Sequence, residues 1–368
     1  MRKFHLFATA PSFFAYILIN RNFGVELMLN VFIVAFSYVA ALVGAGFASG
    51  QEIISFFVKY GKMSILGVLG VSLIFGTVAA AVCAWCVGER EYDYNNFLGK
   101  CTGKKFAFVT RAVTLIFSLA VFCVMASGCG EMGYALFGWD IKWGILAICA
   151  SSFVIFLTGT DSAMEFNAVL GAVIVVGIIT VCLYIITYRE HQTFSAVHTA
   201  VSSLSYAGYN MITAPCVLVP LSRRLKTRSD AVSVGIVSAC AMFFMMILMW
   251  FVLAMYYGKI NLGEIPMLTM AMRQNKVITL IYSVLLLAAL LSTAVSNGIS
   301  CINIMSARTG RILALSIVLG CGLFFSGAGF SNLIDKVYRL CGYAGIFLVG
   351  YTLIKILKNI KNIEKQRK

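Results

Sequence analysis

Charge is what this chain has least of. Asp, Glu, Lys and Arg make up 12% of its 368 residues, about half the share found in an ordinary soluble domain. With 61% hydrophobic residues and a mean hydropathy of +0.92, it reads as a polytopic membrane protein rather than a water-soluble globule. Acid is scarcer than base: 14 Asp and Glu against 29 Lys and Arg leave a formal net charge of +15. On a soluble chain that excess would point to nucleic acid. Here the bases cluster in short loops and at the C-terminus, which is how a membrane protein records its orientation. No nucleic-acid partner is expected.

Other absences exclude chemistry. There are three histidines, His5, His191 and His198, and no apolar stretch carries a His–Asp, Ser–Lys or metal-ligand constellation, so no enzyme is expected. A Walker A motif is missing, which removes ATP-driven pumping by this chain alone. No charged ring or repeated filter segment suggests a channel. Twelve cysteines are scattered through apolar stretches. Cys83 and Cys86 form a C-x-x-C without a second pair, so they are expected to pack rather than bind metal. No cofactor is expected beyond a possible sodium ion.

What is present is a series of apolar stretches. Roughly 20 apolar residues cross a bilayer as a helix. Ten stretches qualify, over about 29–58, 64–88, 105–137, 141–158, 164–187, 195–222, 230–257, 276–303, 309–327 and 332–356. Residues 1–27 precede them as an extension of uncertain status, and 358–368 form a basic tail. With the N-terminus in the cytoplasm, nineteen Lys and Arg fall on the inner side and seven on the outer. Both termini are therefore expected in the cytoplasm, with an even number of crossings. Asp335, Lys336 and Arg339 start the tenth span, where a local charge network is expected.

Two stretches carry residues that a lipid anchor would not. In span one, Val43-Gly44-Ala45-Gly46-Phe47-Ala48-Ser49-Gly50-Gln51-Glu52 puts three glycines, a serine, a glutamine and a glutamate mid-span. In span six, Ser205 to Pro215 includes Tyr206, Gly208, Tyr209 and Asn210. Such glycines either let helices pack closely or mark a break lining a protected cavity. Two breaks five spans apart in a ten-span chain predict two inverted repeats, 28–190 and 191–357. The fold class expected is all-α, with helices 1 and 6 broken and meeting near the bilayer midplane. Substrate contacts are then expected from Gly44, Ala45, Gly46, Phe47, Ala48, Ser49, Gly50, Tyr206, Gly208, Tyr209 and Asn210. Glu52 is the acid nearest that site. It either caps the outer half-helix, takes a proton or binds an amino group. In span eight, Ser292 and Thr293 either bond back to their own helix or offer oxygen to a small cation.

The run from Val43 to Glu52, continuing Ile53-Ile54-Ser55-Phe56-Phe57, resembles the G-A-G-F-A-S-G-Q-E-I signature of the YkvI family of bacterial membrane proteins. The likeness extends from about residue 28 to 356. It implies membership in the amino acid–polyamine–organocation transporters, whose LeuT-like fold has ten core helices in two inverted repeats. Similarity to sodium symporters of that fold implies an ion site from Ala40, Val43, Ala289, Ser292 and Thr293. The chain departs from them at Phe47, where an asparagine is expected at a further sodium site. Span five has no lysine to replace sodium, as proton-coupled relatives do.

The function so implied is cation-coupled secondary transport of a small organic solute, an amino acid or related amine or carboxylate, with sodium favoured. The setting is the bacterial cytoplasmic membrane. A solute-sensing receptor on the same fold, without net flux, is the competing expectation. A small-molecule substrate and the lipid bilayer are the expected partners.

Overall fold

Where water is absent, each backbone amide needs a partner within the chain, and helices provide it residue by residue. The computed structural model describes residues 23–158, 160–186, 200–263, 265–326 and 338–367, and among these the regular structure is helical throughout. His5, His191, His198, Asp335, Lys336 and most of the N-terminal extension lie outside the described residues. So does the junction between the two expected repeats.

Span one becomes three pieces: α1 (Phe23–Leu42), α2 (Ala45–Ala48) and α3 (Gln51–Phe56). The helix starts at Phe23, inside the expected extension. Spans two to five follow as α4 (Ser64–Glu89), α6 (Lys104–Phe137), α7 (Ile141–Leu157) and α8 (Thr160–Ile186). Spans six to ten are α9 (Ala200–Leu221), α10 (Arg228–Tyr256), α12 (Lys276–Thr309), α13 (Arg311–Phe325) and α14 (Arg339–Arg367). Two short helices, α5 (Tyr94–Thr102) and α11 (Pro266–Gln274), occupy stretches expected to be loops. At nine residues each they are too short to register as spans. Asp93 caps α5 by accepting from the Asn96 amide at 2.8 Å, as N-cap aspartates do.

Among the described residues five helices are long and apolar enough to cross a membrane, within α4, α6, α8, α10 and α12. Their outward faces carry apolar residues at helical spacing. On α4 these are Leu66, Leu69 and Leu73, all exposed, as a lipid-facing stripe would be. Trp139 and Trp143 stand exposed at the α6–α7 turn beside Asp140 and Lys142, a placement typical of a bilayer interface.

The packing pairs recur with an offset of five spans. Helix α1 lies against α8, and α9 against α14. Helix α4 packs on α9, and α10 on α1. Pairs α6–α7 and α12–α13 match, as do α7–α12 and α13–α6. Helices α4 and α10, counterparts under this offset, cross at glycines. A Cβ on Gly76 would sit 2.6 Å from the Gly235 carbonyl oxygen, so only glycine allows this approach.

Span six departs from expectation. Helix α9 runs unbroken from Ala200 to Leu221 with Pro215 and Pro220 inside it. A proline removes one amide donor but its φ suits a helix, so a well-packed helix can continue through it. Packing against α4 and α14 holds this one in register. Asn210, expected to mark an unwound segment, instead donates its side-chain amide to the Tyr206 carbonyl at 3.0 Å.

Candidate functional site

The break in span one begins where the helical ladder stops. The Val43 amide still reaches the Val39 carbonyl at 2.8 Å, but the Gly44 amide turns to Leu42 at 3.0 Å. Ala40 therefore loses its helical donor, and the Val43 carbonyl is released sideways. Thr293 of α12 donates its hydroxyl to that carbonyl at 3.2 Å. Val43, Ala289, Ser292 and Thr293 are all buried. Of the five ion-site residues expected from the resemblance, Val43 and Thr293 meet directly. Ser292 turns away and donates to Asn167 Oδ1 of α8 at 2.5 Å. Asn167 in turn donates to Ser296 Oγ at 2.7 Å. Asn167 was not anticipated as a site residue, although an amide in the apolar run of span five was a readable signal.

A second interruption follows at Ser49 and Gly50. Gly50 has φ +84°, a left-handed geometry that glycine adopts without strain. The freed backbone groups are taken up by neighbours. Tyr282 of α12 donates its hydroxyl to the Ala48 carbonyl. The Met267 amide of α11 donates to the Ser49 carbonyl at 2.8 Å, and the Ser49 hydroxyl bonds to the Gly46 carbonyl at 3.0 Å. Ala48, Ser49 and Gly50 are thus held by α11 and α12. Phe47 is wholly buried.

The short helix α3 then delivers Glu52 into the protein, where it is 2% exposed. Around it lies a nest of rings. Tyr206 and Tyr209 of α9 lie beside the carboxyl, and Tyr338, just before α14, packs on Tyr209. Ring centroids are 5.4 Å apart for Tyr206–Tyr209 and 4.7 Å for Tyr209–Tyr338. Phe56, Phe57, Phe75 and Phe117 complete the cluster. Neither tyrosine hydroxyl closes a well-formed hydrogen bond, and Glu52 Oε2 is likewise unpartnered. Gly46 faces this side chain; a Cβ there would fall 2.8 Å from Glu52 Cγ and Cδ.

Of the residues expected to contact substrate, the structure gathers Gly46, Tyr206 and Tyr209 around Glu52. Gly208 points elsewhere: a Cβ on it would run into the Gly342 carbonyl, and one on Gly345 into the Gly208 carbonyl. It serves the α9–α14 crossing, the close-packing alternative for glycine. Gly44 meets only Thr293, with ordinary spacing of 3.5 Å from a built Cβ. Tyr338 and Phe117 were not anticipated, since nothing in their local sequence sets them apart from other aromatics.

No family model matches the chain. It is 24% identical to the membrane protein YkvI of Bacillus subtilis over 334 residues, 87% of this chain and 94% of that one. It is 22% identical to YyaD of the same organism, over 85% of this chain and 93% of that one. Among solved structures, MhsT in complex with L-phenylalanine superposes with a TM-score of 0.65 at 14% identity, over 89% of this chain and 87% of that one. A Na+-coupled sialic acid symporter gives 0.64 at 12%, over 89% and 78%. The manganese transporter of Eremococcus coleocola gives 0.60 at 15%, over 92% and 78%. The chain is thus a multi-pass membrane protein with the LeuT-like fold, resembling YkvI over most of its length.

Proposed function

We propose that this protein is a secondary active transporter of a small organic solute, driven by a cation gradient through alternating access. The observation that carries the reading is the interrupted first helix. The Val43 carbonyl at the break meets a hydroxyl of α12 at 3.2 Å, and the next half-helix, which carries a buried carboxyl, packs on α9. Released carbonyls and hydroxyls are hard oxygen ligands suited to sodium. The coupling site is assigned to Ala40, Val43, Ala289, Ser292 and Thr293, with Asn167 orienting Ser292. Support comes from structural neighbours that include a Na+-coupled symporter and a transporter complexed with an amino acid.

In this reading the chain crosses the membrane ten times, both termini are cytoplasmic, and 28–190 and 191–357 are the two halves. Helices α1–α3 and α9 move against α6, α7, α12 and α13. The purified protein in vesicles, with an imposed inward sodium gradient, is expected to accumulate at least one amino acid, amine or small carboxylate. Replacing sodium by potassium should abolish accumulation. Saturable binding with no accumulation under sodium or proton gradients would overturn transport in favour of a sensor.

A further inference from the structure

A groove of about 630 Å³ runs between the last turns of α6 and the first turns of α12, with α11 contributing Met272. Its α12 wall is a single stripe. Lys276, Leu280, Val284 and Leu287 follow one another at helical spacing, so they share one face. Phe137 of α6 lines the other side. Phe137, Leu280, Val284 and Leu287 are all exposed. Among the described residues lining the groove, none belongs to the broken helix or to α9, so it lies on the surface of the bundle, apart from the break.

Lys276 is the one charged residue in that lining. Among the described residues no carboxylate forms an ion pair with it, or with Arg273 three positions earlier in α11. From Lys276 to Leu287 the stripe runs for about 16 Å along the helix axis, close to half of a hydrocarbon core roughly 30 Å thick. The level of its charged end is fixed by a separate observation. Phe137 stacks on Trp139 with ring centroids 4.7 Å apart. Trp139 stands exposed with Trp143 beside the Asp140–Lys142 pair, as aromatic side chains do at headgroup level.

We propose that this groove binds an anionic phospholipid, with its phosphate beside Lys276 and one acyl chain along Leu280, Val284 and Leu287. A lysine ammonium binds phosphate as a point charge, and as the first residue of α12 it sits where the helix dipole adds positive charge. A small polar solute would find little else to bond. The Thr279 hydroxyl already donates to the Ala271 and Asn275 carbonyls, and the Ser283 hydroxyl to the Thr279 carbonyl. A lipid suits both ends at once: its chain covers the apolar wall, and its charge meets the lysine at headgroup level. The occupant touches α6, α11 and α12 together. Helices α11 and α12 also hold the Ser49 and Ala48 carbonyls, so a bound lipid braces the elements that clamp the broken helix.

The test uses the full-length protein in detergent, with dioleoylphosphatidylglycerol against dioleoylphosphatidylcholine, which share their chains and differ in headgroup charge. Retention is read by native mass spectrometry, and stability by melting. Phosphatidylglycerol should be retained and raise the melting temperature. It should be preferred over phosphatidylcholine by about fivefold, the weight of one lysine against an anionic headgroup. Lys276→Gln, at an exposed position and so harmless to folding, should bring the two lipids level. Lys142→Gln, at the same edge of the bundle but outside the groove, should keep the preference. Val284→Trp, which fills the groove from an exposed position, should lower retention of both. Equal retention by the parent protein overturns the proposal, as does a preference that survives Lys276→Gln. Inorganic phosphate that displaces the lipid would overturn it in favour of a simple anion site. A dimer that excludes lipid and is broken by Val284→Trp would overturn it in favour of a second copy of the chain.

Discussion

Replacing Thr293 by valine removes one hydroxyl while preserving the branched shape that packs beside Gly44. In the structure that hydroxyl donates to the Val43 carbonyl at 3.2 Å, and both residues are buried, at 2% and 0% exposure. The loss leaves a buried carbonyl without a partner, which costs about 1–3 kcal/mol. If the same hydroxyl and carbonyl also hold sodium, a second effect appears. A ligand present at roughly 100 times its Kd stabilises the folded state by about 2.7 kcal/mol. Raising that Kd tenfold removes about 1.4 kcal/mol of it. The two effects separate in one assay. The purified protein is melted across a series of sodium concentrations, with potassium keeping ionic strength constant. Thr293→Val is expected to melt lower in potassium alone, and to need at least tenfold more sodium for half of the sodium-dependent gain. Thr293→Ser, which keeps the donor, should follow the parent. A uniform drop in both salts with an unchanged sodium midpoint would refute the ion assignment and leave Thr293 as a cap on the broken helix.

Four further outcomes follow from the geometry. Gly345→Ala should destabilise the protein by about 1–3 kcal/mol through overpacking, because its Cβ would enter the Gly208 carbonyl; Gly320→Ala, with nothing within 4 Å of the built Cβ, should be neutral or slightly stabilising in the same melt. Tyr282→Phe strands the Ala48 carbonyl, and hydrogen exchange in 44–56 should accelerate by more than tenfold, corresponding to a loss of about 1.4 kcal/mol or more. Asn167→Ala should raise the sodium midpoint by freeing Ser292, to which it is bonded at 2.5 Å, whereas an unchanged midpoint would place Asn167 in packing alone. Outside the membrane, Lys100 lies 2.5 Å from Glu91 and holds that carboxyl below the usual carboxylate range. A lowered folded-state value stabilises above the unfolded pKa and the gain disappears as pH falls through the folded one. Glu91→Gln should therefore speed exchange in α5 near neutrality and make no difference at strongly acidic pH, an effect reduced by salt.

The sequence was most legible where a residue type conflicts with its surroundings. Glycines 44, 46 and 50 with Ser49 and Glu52, in a stretch otherwise fit for lipid, announce the interrupted helix without any knowledge of neighbours. The same reasoning misread span six. Tyr206, Gly208, Asn210 and Pro215 look like a break, but each has a destination that only packing reveals. Gly208 abuts α14, Asn210 bonds within its own turn, and Pro215 is carried by a helix held on two sides. Helices α5 and α11 escaped because nine residues cannot span a bilayer, so the signal that found the others is silent about them.

Composition and apolar spacing by themselves determined that this is a helical membrane protein, where its first helix is interrupted, and that its hydroxyl pair in span eight lies within a long apolar helix. Those follow from the cost of leaving charge or backbone groups unpaired in lipid, a cost that acts residue by residue. Tertiary structure alone decided which polar groups meet. It set Thr293 on Val43 and diverted Ser292 to Asn167. It also set Tyr206 and Tyr209 of α9 beside Glu52 and packed Tyr338 on Tyr209. A side chain's partner across the bundle depends on how helices cross and rotate, and those angles are set by small-residue contacts such as Gly76–Gly235 and Gly208–Gly345 that no single stretch encodes.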